Sequence, residues 1–179
     1  VAPVPQPRFR GAAPRDARCH AHRRSKPVEP STGARSRASV HRYRTIVNRV
    51  LVTGAAGFVG AAVVARLLAD GRDVVGVDNL NDYYDVRLKH HRLEPLRSHP
   101  RFDFKQLDIA DADAVARLAS VVDGSPIVHM AAQAGVRHSL KQPRDYVSSN
   151  MVGFANVAEL ARHAKSPHFV YASTSSVYG

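Results

Sequence analysis

Five short apolar segments alternate with four longer helical segments between residues 49 and 172. The predicted strands are 49–53, 73–77, 101–107, 126–130 and 168–172, and the predicted helical segments are 58–69, 83–97, 111–121 and 143–164. Strands and helices that alternate in this way are joined by right-handed crossovers and build a parallel sheet with helices on both faces. The alternation predicts an α/β fold with a doubly wound parallel sheet.

Residues with strong positional preferences mark the ends of these helices. Gly71 follows the first helical segment as a C-terminal stop, Asp111 opens the third, and Pro143 lies in the first turn of the last. The second segment, 83–97, is polar with scattered leucines, which predicts a loop followed by a short helix. The last two strands are apolar without clean alternation, as expected for strands that are buried on both faces.

The basic residues are concentrated ahead of this domain. Residues 1–48 contain eleven Lys and Arg against two acidic residues, a net charge of +9, whereas residues 49–179 carry a net charge of +2. Residues 1–47 are rich in Pro, Arg, Ser and Ala, which predicts a disordered basic N-terminal tail followed by a domain over 48–179. The tail is interpreted either as a polycation that binds nucleic acid or as an extension without function. The initial Val favours the second interpretation.

Several classes of protein are disfavoured by the rest of the composition. The sequence has no run of 18 apolar residues and no secretory signal, which predicts a cytoplasmic protein without membrane contact. Its one cysteine, Cys19, cannot form an internal disulfide. The ten histidines show no spacing typical of metal ligands, so no metal is expected.

Three glycines separate the first predicted strand from the first helix, in the sequence VLVTGAAGFVGAAVV. Gly54 permits a tight turn, Gly57 leaves room for a pyrophosphate to approach the backbone, and Gly60 lets the helix pack closely on the strand. The helix N-terminus offers unpaired N–H groups and a partial positive charge to phosphates. In this βαβ context the glycines indicate a dinucleotide site. An ordinary strand-to-helix turn is the alternative.

Asp78 ends the second strand region, 18 residues after Gly60. A carboxylate there accepts hydrogen bonds from an adenosine ribose and repels a 2′-phosphate, which predicts NAD in preference to NADP. Taken alone, an Asp at a strand end could equally be the start of a loop. The three glycines upstream favour the ribose-binding interpretation.

Four segments carry a resemblance to a known family: TGAAGFVG, VVGVDNLNDYYDVRLK, HMAAQAGVRHSL and YASTSSVYG. In order and spacing they resemble the extended short-chain dehydrogenases/reductases, and the second and third segments resemble its uronic-acid epimerases most. The resemblance covers roughly residues 48–179 and implies a Rossmann fold that binds NAD. The implied cofactor contacts are Gly54, Gly57, Phe58, Val59, Gly60, Asp78, Asn79, Asp108, Ile109, Ala131, Ala132, Gln133 and Ser173.

The resemblance also implies which residues meet the sugar. Thr174 takes the Ser/Thr position whose hydroxyl binds the reacting sugar oxygen, with Ser175 beside it. Arg137 and Ser139, in a loop with His138, are candidates for the substrate diphosphate or carboxylate. An exposed ion pair would explain Arg137 equally well.

The general base of this superfamily is the Tyr of a Y-x-x-x-K motif, and the 179 residues contain no such motif. We therefore expect the chain to be the N-terminal part of a longer enzyme. The resemblance implies that the parallel sheet is incomplete at its C-terminus and that the later strands and the substrate domain are absent from these residues. As it stands it is expected to be inactive and prone to aggregation, with residual affinity for the adenosine half of NAD.

For the whole protein the resemblance implies NAD-dependent 4-epimerisation of a nucleotide sugar, with UDP-glucuronate and UDP-galacturonate as the expected pair. A 4,6-dehydratase or a uronic-acid decarboxylase is the alternative enzyme. A nucleotide-binding or nucleic-acid-binding module without catalysis is the alternative from another class. The helix over 143–164 could support a homodimer, because its apolar residues suit an interface as well as the sheet.

Overall fold

The computed structural model describes residues 48–174. The predicted tail, residues 1–47, and the candidate Ser175 lie outside the described residues. The strands are β1 (Arg49–Thr53), β2 (Asp73–Asp78), β3 (Phe102–Gln106), β4 (Ile127–His129) and β5 (Phe169–Tyr171). The helices are α1 (Phe58–Ala69), α2 (Val86–Arg97), α3 (Ala112–Ala116), α4 (Val136–Lys141), α5 (Pro143–Tyr146) and α6 (Phe154–His163), with a π-helical segment (Val147–Gly153) between α5 and α6.

The five strands form one parallel sheet in the order β3-β2-β1-β4-β5. From the central β1 the chain first builds outward through β2 and β3, and then returns to add β4 and β5 on the other side. This reversal opens a crevice at the carboxyl ends of β1 and β4, the place where sheets of this kind bind ligands. The predicted doubly wound parallel sheet is confirmed.

Both faces of the central strands β1 and β2 are buried, and β1 shows why such a strand is apolar at successive positions. Leu51 belongs to one buried cluster, which includes side chains of α3 and α6. Val50 and Val52 point the other way and belong to a second cluster with side chains of α1 and α2. A strand covered on both faces needs apolar residues throughout, and this need overrides the alternation of a half-exposed strand.

The helices differ from the sequence-based expectation in three places. The third helical segment is shorter than 111–121, because only five residues after the capping Asp111 are α-helical. The region of His138 is helical in α4, where a loop was expected, and it follows Gly135 with a φ of +102°. Residues 143–163 are helical throughout, as expected, but seven of them adopt π-helical turns.

The last strand forms one edge of the described sheet. Val170 and Tyr171 are each about half exposed, so the expectation that the fifth strand is buried on both faces is wrong, because within residues 48–174 this strand is an edge strand. No helix in this range is both long and apolar enough to span a bilayer.

Candidate dinucleotide-binding site

The turn between β1 and α1 is shaped by close contacts between backbone atoms. Gly54 has a φ of +69°, and a Cβ on it would lie 2.7 Å from the backbone nitrogen of Ala131. A Cβ on Gly60 would overlap the carbonyl oxygen of Gly54. These two glycines therefore let the turn lie directly against the chain after β4 and against the first turn of α1.

Gly57 has a different environment, because its missing side chain leaves open space. A Cβ there would approach only the Gly54 oxygen, at 3.1 Å. Gly57 is also the N-cap of α1 and supplies no side-chain hydrogen bond to the helix. The first N–H groups of a helix have no partner within it, so this helix start can bind an anion.

A cleft opens in front of this turn, along the carboxyl ends of β1 to β4. It is lined by the following residues: Gly54, Gly57, Val77, Asp78, Asn79, Asn81, Tyr83, Tyr84, Lys89, Leu107, Asp108, Ile109, Met130, Ala131, Ala132, Gln133, Ala134 and Ser149. The structure thus brings nine of the thirteen predicted cofactor residues together in one cleft. These nine are Gly54, Gly57, Asp78, Asn79, Asp108, Ile109, Ala131, Ala132 and Gln133.

Asp78 lies at the centre of one end of the cleft and is almost completely buried. Its Oδ2 accepts a hydrogen bond from the backbone N–H of Ala56, 3.1 Å away in the glycine turn. Its Oδ1 accepts from the N–H of Leu80 at 2.9 Å and lies 3.4 Å from the Nζ of Lys89. The carboxylate is held in place by the turn, by its own loop and by α2.

A hydrogen bond joins the neighbouring strand ends. The Nδ2 of Asn79, after β2, donates to the Oδ2 of Asp108, after β3, over 3.0 Å. The following residue, Ile109, is held from the other side, because Asn156 of α6 donates to its carbonyl at 2.9 Å. A Cβ on Gly153 would overlap the Ile109 side chain, so the π-helical segment packs directly against this wall of the cleft.

The segment after β4 is fixed by two polar side chains. The hydroxyl of Thr53 accepts a hydrogen bond from the N–H of Ala131 at 3.2 Å. Asn150, in the π-helical segment, forms a reciprocal pair with the backbone of Gln133: its Oδ1 accepts from the N–H at 2.7 Å and its Nδ2 donates to the carbonyl at 2.9 Å. The backbone after β4 is therefore held by Thr53 of β1 and by Asn150 of the π-helical segment.

His129, the last residue of β4, is 5% exposed. Its Nδ1 lies 2.7 Å from the hydroxyl of Thr53, and its ring lies close to those of Phe154 and Phe169. The direction of this hydrogen bond is set by the tautomer of His129, because the hydroxyl can donate one hydrogen bond and accept two. Burial lowers the pKa of His129 to about 4, so the imidazole is neutral at physiological pH.

A group of aromatic side chains lies across the cleft. Tyr83 comes from the loop after β2, and its hydroxyl occupies the position that a Cβ on Gly135 would take. Its ring contacts His138 edge-on, with centroids 4.8 Å apart. Tyr146 donates a hydrogen bond to the carbonyl of Gly135, and His138 lies 2.9 Å from Asp145.

Tyr146 is a poor general base in this setting. Desolvation, with the neighbouring Tyr83 as a further cause, raises the pKa of the Tyr146 phenol above its ordinary value. The hydroxyl also uses its proton in the bond to Gly135. Both effects keep the phenol protonated at neutral pH.

The remaining predicted site residues lie outside the wall of this cleft. Phe58 and Val59 are exposed at the start of α1, and Gly60 is packed against Gly54. Ser173 and Thr174 are exposed after β5. Arg137 is exposed and forms no ion pair with any described residue, and Ser139 donates back to the carbonyl of Val136 within α4.

Sequence reasoning did not single out Lys89, Asn150 or Tyr83. A signal for Lys89 was present: it shares the buried face of α2 with Leu93 and Leu96, at a spacing where an apolar residue is expected. Asn150 stands among polar residues of a long helix, and nothing local distinguishes it.

Within residues 48–174, no group of three or more His, Cys, Asp or Glu side chains is placed to bind a metal ion.

Residues 50–179 match the family described as the NAD dependent epimerase/dehydratase family. The chain is 47% identical over 128 residues to a UDP-glucuronate 4-epimerase of Thermodesulfobacterium geofontis, covering 72% of this chain and 40% of the relative. It is 44% identical over 154 residues to UDP-glucuronate 4-epimerase 4 of Arabidopsis thaliana, covering 84% and 35%. This chain spans about two fifths of the length of the curated relatives it matches.

The fold has solved counterparts. The crystal structure of a Bacillus cereus UDP-glucuronic acid 4-epimerase in complex with UDP-glucuronic acid and NAD superimposes with a TM-score of 0.66 at 36% identity, over 73% of this chain and 41% of that one. The chain belongs to the NAD dependent epimerase/dehydratase family.

Proposed function

We propose that this member of the NAD dependent epimerase/dehydratase family binds NAD along the carboxyl edge of its sheet. We further propose that the whole protein interconverts UDP-glucuronate and UDP-galacturonate by epimerisation at C4′. The observation that carries the proposal is the single cleft in which the glycine turn, Asp78 and the segment Ala131–Gln133 meet. The choice of sugar is supported by relatives that carry the name UDP-glucuronate 4-epimerase.

The residues of the cleft fit a dinucleotide. The open space at Gly57 and the uncapped start of α1 suit a pyrophosphate, which needs N–H donors and no side chain in its way. Asp78 and Asn79 offer carboxylate and amide oxygens to an adenosine ribose, with Asp108 and Ile109 bordering the adenine. The small residues Ala131 and Ala132, followed by Gln133, leave room for the nicotinamide-side ribose and phosphate.

When bound, NAD supplies a reversible acceptor for the hydride of the sugar carbon C4′. The chain's own residues orient the two partners. Thr174 follows β5 at the same edge of the sheet as the cleft, and its hydroxyl is proposed to bind the C4′ oxygen and share the charge that develops there. The exposed Arg137 is proposed to approach the diphosphate or the carboxylate of the substrate.

The proton of the 4′-hydroxyl requires a general base. Tyr146 does not suit this role, because its pKa is raised and its hydroxyl donates to Gly135. The base is therefore assigned to the Tyr of the family's Y-x-x-x-K motif, which the 179 residues do not contain.

Replacement of Gly57 by Ala tests the cofactor site. The new methyl group would meet one protein atom, at 3.1 Å, so the free energy of unfolding should change by less than about 1 kcal/mol. The Kd for NAD should rise at least about tenfold, because the methyl group enters the space assigned to the pyrophosphate. Ala62→Ser, an exposed change on the same helix, is the control. Equal NAD binding by G57A and the native chain would contradict the proposed site.

The reaction is tested with the whole protein and UDP-glucuronate. UDP-galacturonate is the expected product, and the reverse reaction should reach the same equilibrium mixture. A UDP-pentose would indicate a decarboxylase, and a 4-keto-6-deoxy sugar nucleotide would indicate a dehydratase. Either of these products, without UDP-galacturonate, would overturn the proposed epimerisation while leaving the cofactor site in place.

A further inference from the structure

The adenosine-ribose end of the cleft contains a buried cation that the glycine turn and Asp78 do not explain. Lys89 is 5% exposed, and its Nζ lies 3.4 Å from the Oδ1 of Asp78 and 2.7 Å from the Oδ1 of Asn81. The ammonium group also lies 5.3 Å from the centre of the Tyr84 ring. A buried Lys is costly unless it is paired, so its place on the apolar face of α2 requires an explanation beyond packing.

The pairing leaves part of the ammonium group available. Among residues 48–174, two acceptors, on Asp78 and Asn81, receive hydrogen bonds from Lys89, whereas an ammonium group has three N–H donors. Lys89 lines the cleft together with both of its acceptors. A ligand held by Asp78 would therefore lie within reach of Lys89 as well.

A second positively charged side chain lies next to the glycine turn. Arg92, one helical turn further along α2, approaches the carbonyl oxygen of Ala56 at 3.5 Å and donates to the Tyr84 hydroxyl at 2.8 Å. Ala56 is the residue whose N–H binds Asp78. Arg92 thus brings a second positive side chain to the turn that holds Asp78, whereas Lys89 is the one of the two that lines the cleft.

This charge balance matters for the choice of cofactor. An unpaired carboxylate at the ribose repels a 2′-phosphate, whereas a carboxylate paired with a neighbouring ammonium group repels it much less. We propose that Lys89 is a specificity-determining residue: the Asp78–Lys89 pair, and not Asp78 alone, sets how strongly the protein prefers NAD to NADP. Lys89, which lines the cleft beside Asp78, is the cation that a 2′-phosphate would meet. This inference rests on the proposed cofactor site.

The test measures the Kd of NAD and of NADP by calorimetry for the whole protein and for its K89M and K89R variants. K89M retains the length of the side chain and removes its charge, so the preference for NAD should increase about tenfold. K89R keeps the charge, and its preference should stay within about threefold of the native value. Lys105→Met, which removes an exposed Lys paired with Asp103, is the matched control and should change neither constant.

The complementary variant is D78N, which leaves Lys89 and Arg92 without the carboxylate. Its preference should shift toward NADP, and the shift should disappear in the double variant D78N/K89M. An unchanged ratio in K89M, or a shift of that ratio toward NADP, would overturn the inference. If neither dinucleotide binds the whole protein, the proposed cofactor site itself fails, and the two failures are thereby distinguished.

Discussion

The hydroxyl of Tyr83 occupies the place where a side chain on Gly135 would begin. One residue belongs to the loop after β2 and the other to the loop after β4, so the two loops touch across the cleft. The contact depends on Gly135 in two ways, because this residue also has a φ of +102°, which L side chains rarely adopt. The close approach of the two loops therefore depends on a single position without a side chain.

Gly135→Ala should destabilise the chain by about 2 kcal/mol or more, through backbone strain and the clash with Tyr83. In a Tyr83→Phe background, Gly135→Ala should lower the stability by less, because the hydroxyl oxygen that overlaps the new methyl group is absent. Urea unfolding of the four proteins measures the difference. Gly71→Ala is the control for backbone strain alone: its φ is +78°, and its Cβ would meet only the end of the Arg101 side chain. Equal costs of G135A in both backgrounds would show that Tyr83 does not restrict this position.

Gly60→Ala should be far more harmful than its size suggests. The methyl group would overlap the Gly54 carbonyl, a backbone atom that cannot rotate away. We expect a loss of about 3 kcal/mol or more, or failure to fold. Thermal unfolding followed by circular dichroism measures the effect, with Ala62→Ser as the exposed control on α1. A melting temperature close to that of the control would indicate that the turn relaxes more easily than the structure implies.

His129 should make the stability depend on pH. Its pKa is lowered to about 4 in the folded chain, against an ordinary value of about 6.5 when unfolded. The unfolded state therefore binds a proton that the folded state rejects between these two values. The contribution of His129 to the free energy of unfolding is up to about 3 kcal/mol. It is fully present above pH 6.5 and is lost as the pH falls toward 4.

The measurement for His129 is the free energy of unfolding between pH 7.5 and 4.5, for the native chain and for His129→Gln. The difference between the free energies of unfolding of the native chain and H129Q should shrink as the pH falls, because only the native chain contains the buried imidazole that must stay neutral. His91→Gln, at an exposed site on α2, should follow the native chain. Parallel pH profiles for the native chain and H129Q would contradict the lowered pKa.

Asn150→Asp should weaken NAD binding more than it weakens the fold. The carboxylate can still accept from the N–H of Gln133 but cannot donate to its carbonyl, so one of the two bonds that hold the segment after β4 is lost. We expect a cost of about 1–3 kcal/mol in stability and a rise in the Kd for NAD. Asn150→Ala loses both hydrogen bonds, so it should lower the stability further and raise the Kd for NAD further than Asn150→Asp does. If binding were unchanged in both variants, the position of this segment would not depend on Asn150.

The sheet and the phosphate turn could be predicted from the sequence because each has a local cause. A strand covered on both faces must be apolar throughout, as Val50 to Val52 are, and a turn against a neighbouring backbone must be glycine, as at Gly54. The bounds of β1 and α1 were predicted to the residue for this reason.

Features that depend on contacts between distant segments could not be predicted in this way. The bonds from Asn150 to Gln133 join residues 17 positions apart, and Tyr83 meets Gly135 across 52 positions. The π-helical segment places Gly153 against Ile109, an arrangement that a 3.6-residue period does not reveal. Lys89 is intermediate, because its position was visible as an exception to the apolar pattern but its partners were not.

The turn after β1 and the ribose end of the cleft differ in the amino-acid substitutions that they tolerate. At Gly54 and Gly60 the shape depends on the absence of a side chain, so a library randomised at both positions and selected for dinucleotide binding should return glycine alone. Around the ribose the chemistry resides in the side chains of Asp78 and Lys89, which line the cleft. Asp78 also accepts a hydrogen bond from the N–H of Ala56 in the turn, so a protein engineer who replaces this carboxylate to change the ligand must supply another acceptor for that N–H.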